Sequence, residues 1–170
     1  MPDTADAAML ILRIALGVVL LAHGVKHYRN RAKTMRWTAS IGFSNPGIQW
    51  FFMSFAEIGV GLSLLAGFLT SAGAAGLVAL MGVAFWTVHR RAGFWITARP
   101  DEGWEYVFVL SAAAWALALL GPGEWAVDHA LGIAEDLDGA VGALLAAGGA
   151  VAAVLQLAVF HRPSRAAGDS

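Results

Sequence analysis

The sequence predicts an all-α polytopic membrane protein, and three observations carry that prediction. Of 170 residues, 58% are hydrophobic and 14% are charged, whereas soluble domains average about 45–50% apolar and about 25% charged residues. The apolar residues come in long blocks rich in Ala, Leu and Gly rather than in amphipathic stripes. Ten of the eleven Lys and Arg residues fall in three short stretches, and the eleventh, Arg13, sits inside the first apolar block.

A transmembrane helix needs about 20 mostly apolar residues to cross a hydrocarbon core of roughly 30 Å. Five stretches meet or approach this length: Ala7–Gly24, Gly47–Leu69, Ala72–Val88, Trp104–Leu120 and Ala140–Phe160. In lipid each must satisfy its own backbone groups, as a helix or in a closed barrel. Barrel strands would alternate over about 10 residues, and these blocks do not. One membrane domain accounts for the whole length. The first residues, MPDTADAAML, are acidic rather than basic and Arg13 interrupts the run, so the segment is expected to stay as the first helix and not to act as a signal peptide.

Charge sets the expected orientation. The loop after the first span carries Lys26, Arg29, Arg31, Lys33 and Arg36. Thr70 and Ser71 link the second and third spans without charge. Arg90, Arg91 and Arg99 follow the third span, Glu124, Asp128, Glu135, Asp136 and Asp138 follow the fourth, and Arg162 and Arg165 follow the fifth. Short loops rich in Lys and Arg stay cytoplasmic, so the N-terminus is expected outside and the C-terminus inside. That alternation requires an odd number of spans. Trp37, Trp50, Trp95 and Trp104 fall near the inner surface and Trp125 near the outer, as interfacial belts do. The segment His27–Phe43 reads either as a short interfacial helix on anionic lipid or as an ordinary basic loop.

Small residues let membrane helices approach, and each span places its polar groups beside such residues. Arg13, Gly17 and Gly24 share a face of the first span; Ser54, Glu57 and Gly61 of the second; Ala75, Ala79, Gly82, Trp86 and His89 of the third; Glu105, Val109, Ala112 and Ala116 of the fourth. The fifth has Gly142, Ala146, Gly149, Ala153 and Gln156 on one stripe with no ionisable group. It reads as a packing helix or a contact for a homo-oligomer.

An ionisable residue inside a span is costly and is a functional candidate by default. Arg13 lies roughly 9 Å in from the outer end and Glu57 roughly 12 Å in from the inner end, at 1.5 Å per residue. They form either a functional pair or a charge-neutralising pair that sets helix register. Arg13 alone can also snorkel outward. A second group, His23, Lys26, His27, His89 and Glu105, falls near the inner boundary. Such groups can relay protons, hold a quinone head group or ligate a metal. His23 and His89 sit on two helices, as axial haem ligands would, but no spacing motif specifies haem or metal and neither is expected. The absence of cysteine removes thiol–disulfide chemistry and cysteine-ligated clusters. The net charge of −1 gives no reason to expect a nucleic-acid partner.

These residues carry a resemblance. The run Arg13-Ile-Ala-Leu-Gly17 with His23-Gly24-Val-Lys26 is similar to the first-helix signature of the DoxX family of small bacterial membrane proteins. Glu57-Ile-Gly-Val-Gly61 through Gly67-Phe-Leu-Thr70 resembles its second helix. A small-residue third helix ending at His89, then Gly93-Phe94, Gly103-Trp-Glu105-Tyr106 and Gly121-Pro122-Gly123 through Asp128 continue the match in order. The resemblance covers roughly residues 9–131 and implies a four-helix bundle, to which this chain adds a fifth C-terminal transmembrane helix. The expected organisation is a DoxX-like membrane domain over residues 1–131, an acidic outer loop over 132–138, an extra span over 139–161 and a basic cytoplasmic tail over 162–170.

The family implies a bacterial cell-membrane protein. Its relatives are tied to thiosulfate oxidation and quinone reduction, or to redox complexes that handle oxidative stress. The leading expectation is therefore an integral membrane subunit of a redox system, with a polar intramembrane site for quinone or a sulfur oxyanion and a soluble redox partner on the cytoplasmic basic face. By residue matching the site is Arg13, Lys26, Glu57 and Glu105, with His23 and His89 beside them. Arg13 and Lys26 would supply positive charge and Glu57 and Glu105 would handle protons. The cofactor stays open, with quinone as the candidate and haem not expected. Two other readings use the same residues: a small-solute or proton carrier, and a scaffold that anchors soluble partners while the polar core merely sets register. Against the carrier, no span is broken and no inverted repeat is visible.

Overall fold

A computed structural model describes residues 3–163, and Arg165 with the remainder of the tail lies outside the described residues. The described chain is all-α: α1 Thr4–Arg29, α2 Arg31–Ser40, α3 Pro46–Ala66, α4 Thr70–Ala84 continued by a π-helical turn Phe85–His89, α5 Glu105–Leu120, the single turns α6 Val127–Ala130 and α7 Ala134–Leu137, and α8 Gly139–Phe160. Four helices are long and apolar enough to cross a membrane: Thr4–Arg29, Pro46–Ala66, Thr70–His89 and Gly139–Phe160. The fifth expected span, α5, is apolar but has 16 residues, about 24 Å at 1.5 Å per residue. The protein is an all-α polytopic membrane protein.

Local signals start and stop these helices. Asp3 caps α1, its carboxylate accepting from Ala5 N and Asp6 N while Asp6 answers the Asp3 backbone, a reciprocal arrangement that satisfies orphan donors of the first turn. Pro46 opens α3, where its missing N–H costs nothing. Gly67, at φ +65°, closes α3 in the left-handed conformation. The segment His27–Phe43, open between helix and loop in the sequence, holds the ten-residue helix α2.

Close approach organises the bundle. α1 and α3 are antiparallel and meet through glycines: a Cβ on Gly17 would lie 2.9 Å from Gly61 O, and one on Gly24 would lie 2.9 Å from Ser54 O. α4 packs on α3, α5 and α8, with Gly149 of α8 against the Ala75 backbone, and α8 meets α5 where Gly142 lies against the Ala118 backbone. The small-residue stripe of the fifth span is thus consumed inside the molecule, and the side of α8 carrying Leu144, Val151, Val154 and Leu155 remains exposed. Leu16, Leu20, Leu64, Leu77, Leu110, Ala114 and Leu117 fill the centre.

The described basic stretches share one end of this bundle. Phe43 and His161 form a bridge, and Arg162 N donates to Gly42 O at 2.6 Å, tying the end of α8 to the α2–α3 loop. Trp50 Nε1 donates to His27 O at 3.1 Å, tying in the end of α1. At the opposite end the start of α1 meets the segment after α5, where Glu124 N donates to Asp6 Oδ1 at 2.9 Å.

Candidate functional site

The polar residues of the spans divide into two centres, one at each end. At the end away from the basic stretches, Arg13 is fully buried. Its guanidinium donates to Leu64 O at 3.4 Å and to Trp125 O. Leu64 belongs to the last turn of α3, whose carbonyls have no partner within the helix and favour a cation. Gly67 makes the room, since a Cβ there would overlap Arg13 Nη1. Next to it, Asp128 accepts from Leu69 N at 2.7 Å and from Thr70 N at 2.8 Å, while its own N–H donates to Gly67 O at 2.9 Å. A carboxylate on the first N–H groups of α4 satisfies orphan donors and complements the helix dipole. It also holds Leu69, a non-glycine residue at φ +50°. This centre knots α1, α3, α4 and the segment after α5 together.

At the basic end the structure opens a cavity of about 760 Å³. Apolar side chains from α3, α4 and α8, among them Phe52, Met53, Leu80, Val83 and Phe160, form most of its wall. Its polar groups include His23, Lys26 and His27 on α1, Thr34 on α2, Gln49 and Glu57 on α3, His89 on the π-helical turn that ends α4, Gln156 on α8 and Glu102 in the loop before α5. Gln156 Nε2 donates to Gln49 Oε1 at 3.1 Å, joining α8 to α3 across the wall. His89 Nδ1 lies 2.7 Å from Glu102 O. The π-helical turn that ends at His89 adds a residue to the helical register, and such turns gather at functional sites.

Glu57 is 8% exposed and His27 Nε2 approaches its Oε2 at 3.9 Å. This is the one contact between an acidic and a basic side chain within salt-bridge distance among the described residues, and it joins a carboxylate to an imidazole. Glu57 Oε2 has no hydrogen-bond partner. His23, His27 and Glu57 bring three ligand-type atoms within 4.8 Å of one another. Trp37 stacks on the His27 ring at 6.1 Å between centroids, and Thr34 Oγ1 lies 3.3 Å from His27 Nδ1.

Of the residues singled out in the sequence, Lys26, Glu57, His23 and His89 line this cavity together. Arg13 does not: it sits in the opposite centre, and Glu57 faces His27 instead. The reason is register. Gly17 against Gly61 and Gly24 against Ser54 put Arg13 beside the last turn of α3 and leave Glu57 nearer His23. Glu105 is also outside the cavity wall, although its neighbour Tyr106 lines it. Its Oε2 accepts from Ile96 N at 3.1 Å and fastens the α4–α5 connection. Gln49 was not singled out in the sequence. A signal for it exists, because Gln49, Met53 and Glu57 recur at four-residue spacing and all face the cavity.

Fold and site together define a small polytopic α-helical membrane protein with an amphipathic cavity at its basic end. The DoxX family model matches residues 8–90, the stretch that holds α1 to α4 and every charged or imidazole side chain of the cavity except Glu102. Over that stretch the chain is similar to the DoxX family, and α5 and α8 lie beyond the matched residues. No curated protein and no solved structure matches the chain.

Proposed function

We propose that the chain is a membrane subunit of a redox system and that its cavity receives the ring of a quinone. The cavity itself carries this reading. Ligand sites are typically clefts of roughly 300–1,000 Å³ with mostly apolar walls and a few convergent polar groups, and a cavity of about 760 Å³ with polar groups from α1, α3 and α8 has that form. A quinone offers two carbonyl acceptors on a flat apolar ring. Lys26, Gln49 and His89 are donors suited to those carbonyls, and the imidazoles with Glu57 are groups able to hold or pass protons. With no cysteine in the chain, electrons must arrive from a partner that carries its own redox group. The basic end, with Arg29, Arg31, Lys33 and Arg36, is the face such a partner would meet. The positive-inside rule turns that face to the cytoplasm of the bacterial cell membrane. Any homo-oligomer would use the exposed side of α8.

The test is ligand binding to the purified protein in lipid nanodiscs, with a short-chain quinone as probe. Ala79→Phe adds a ring inside the cavity, since Ala79 lines it without hydrogen-bonding duties. The wild type is expected to bind saturably and Ala79→Phe to lose at least tenfold in affinity. Equal binding by both refutes the assignment.

A further inference from the structure

His23 and His27 are four residues apart on α1 and share a face. Glu57 meets them from α3, at the level where Gly24 lets the two helices close on Ser54. The hydrogen bonds around His27 determine what its second nitrogen offers. Thr34 Oγ1 donates to His27 O at 3.3 Å, so its free lone pair can accept from His27 Nδ1, also at 3.3 Å. This assigns the ring proton to Nδ1 and leaves a lone pair on Nε2. That lone pair faces Glu57 Oε2, a buried oxygen without a hydrogen-bond partner, at 3.9 Å. Two electron-pair donors confronting each other, one of them on a buried carboxylate, need something positive between them. At 3.9 Å the gap is too long for a shared proton. It lies within the roughly 4.2 Å that two metal–ligand bonds of about 2.1 Å can span.

We propose that His23, His27 and Glu57 hold a divalent transition-metal ion of the zinc or iron type in the wall of the cavity. Two imidazoles and a carboxylate form a donor set that suits these ions and leaves further coordination positions open, here towards the cavity. The three donor atoms lie within 4.8 Å of one another, so side-chain movements of about an ångström close the site around an ion with bonds near 2.1 Å. Thr34, on α2, is a positioning residue: its hydroxyl sets the ring orientation and the tautomer, as partners of ligating histidines do. Lys26 and Lys33 line the same cavity and would favour an anionic or carbonyl ligand on the open positions. The proposal goes beyond the quinone reading and does not depend on it.

The experiment uses the full chain in nanodiscs, stripped with chelator, and titrates Zn²⁺ by calorimetry with Co²⁺ as an optical probe, in excess Mg²⁺. The expected result is one equivalent of Zn²⁺, and a Co²⁺ absorption spectrum with nitrogen and oxygen ligation. His23→Ala, His27→Ala and Glu57→Gln should each weaken binding by about 100-fold or more, and Thr34→Val by about 10-fold to 100-fold. His129→Ala, at the opposite end, should leave binding unchanged. Absence of one-to-one binding by the wild type overturns the proposal without recourse to any variant. Binding that survives all three ligand substitutions overturns it as an adventitious ion only. Metal binding by Ala79→Phe alongside loss of its quinone binding would separate the two readings: the ion then stands whether or not the quinone does.

Discussion

Asp128 offers the sharpest test of how the bundle is held. Its carboxylate is 1% exposed and accepts two backbone bonds, from Leu69 N at 2.7 Å and Thr70 N at 2.8 Å. Asp128→Ala removes both and strands two N–H groups where α4 begins. Hydrogen bonds to a charged group contribute about 1.5–3 kcal/mol each in soluble proteins, and bonds between membrane helices average nearer 0.6 with a ceiling of about 1.7 kcal/mol. Two charge-assisted bonds at the top of the membrane range give a loss of about 3 kcal/mol. Asp128→Asn keeps one acceptor oxygen and should lose about half of that. The measurement is reversible unfolding in mixed micelles, followed by far-UV circular dichroism. The order wild type, Asn, Ala is the signature. A loss below about 0.5 kcal/mol for Asp128→Ala would refute the claim that this carboxylate holds the α3–α4 turn. At temperatures where the variants remain folded, Zn²⁺ binding at the far end should be unchanged.

Two other outcomes are expected. Gly61→Val should cost about 1–3 kcal/mol through overpacking against the Leu21 backbone, where even a Cβ would lie 2.7 Å from Leu21 N; the same unfolding assay reads it, and a neutral result would mean that α1 and α3 separate cheaply. Because the chain has no cysteine, Ala39→Cys and Gly132→Cys each create a unique thiol, and an impermeant maleimide applied to whole cells should label Gly132→Cys alone. Labelling of Ala39→Cys in intact cells would reverse the proposed orientation.

The fold was largely legible because its signals are cumulative: each of the five long apolar blocks reads as a helix, and the structure forms a helix in each. The residues at the cavity were partly legible for a different reason. His23, Lys26, Glu57 and His89 are costly where they are, and cost marks them individually. What the sequence does not encode directly is the helix register. Depth alone left a gap of something near 9 Å between Arg13 and Glu57, with no way to decide whether their side chains meet. Glycine contacts between α1 and α3 decide it, and those depend on three-dimensional docking. Asp128 shows the same limit. Among the acidic residues after α5 it looks like one more outer charge, yet it is buried, because the chain folds it back over the turn between α3 and α4. Glu105 illustrates the converse, an acid at the right level whose carboxylate turns to the backbone of a loop.

The Gln49–Gln156 bond joins the stretch that matches the family to a helix beyond it. The imidazoles, the carboxylate Glu57 and Lys26 all come from the stretch that matches the family. Gln156 and Phe160, which stand on the wall beside them, come from α8 beyond that stretch. Part of the enclosure therefore lies outside the stretch that supplies the reactive groups. Substitutions along this one helix can reshape the chamber, and so the bulk of what it admits, while the groups that greet the guest stay as they are. For anyone re-targeting the protein, α8 is the place to begin.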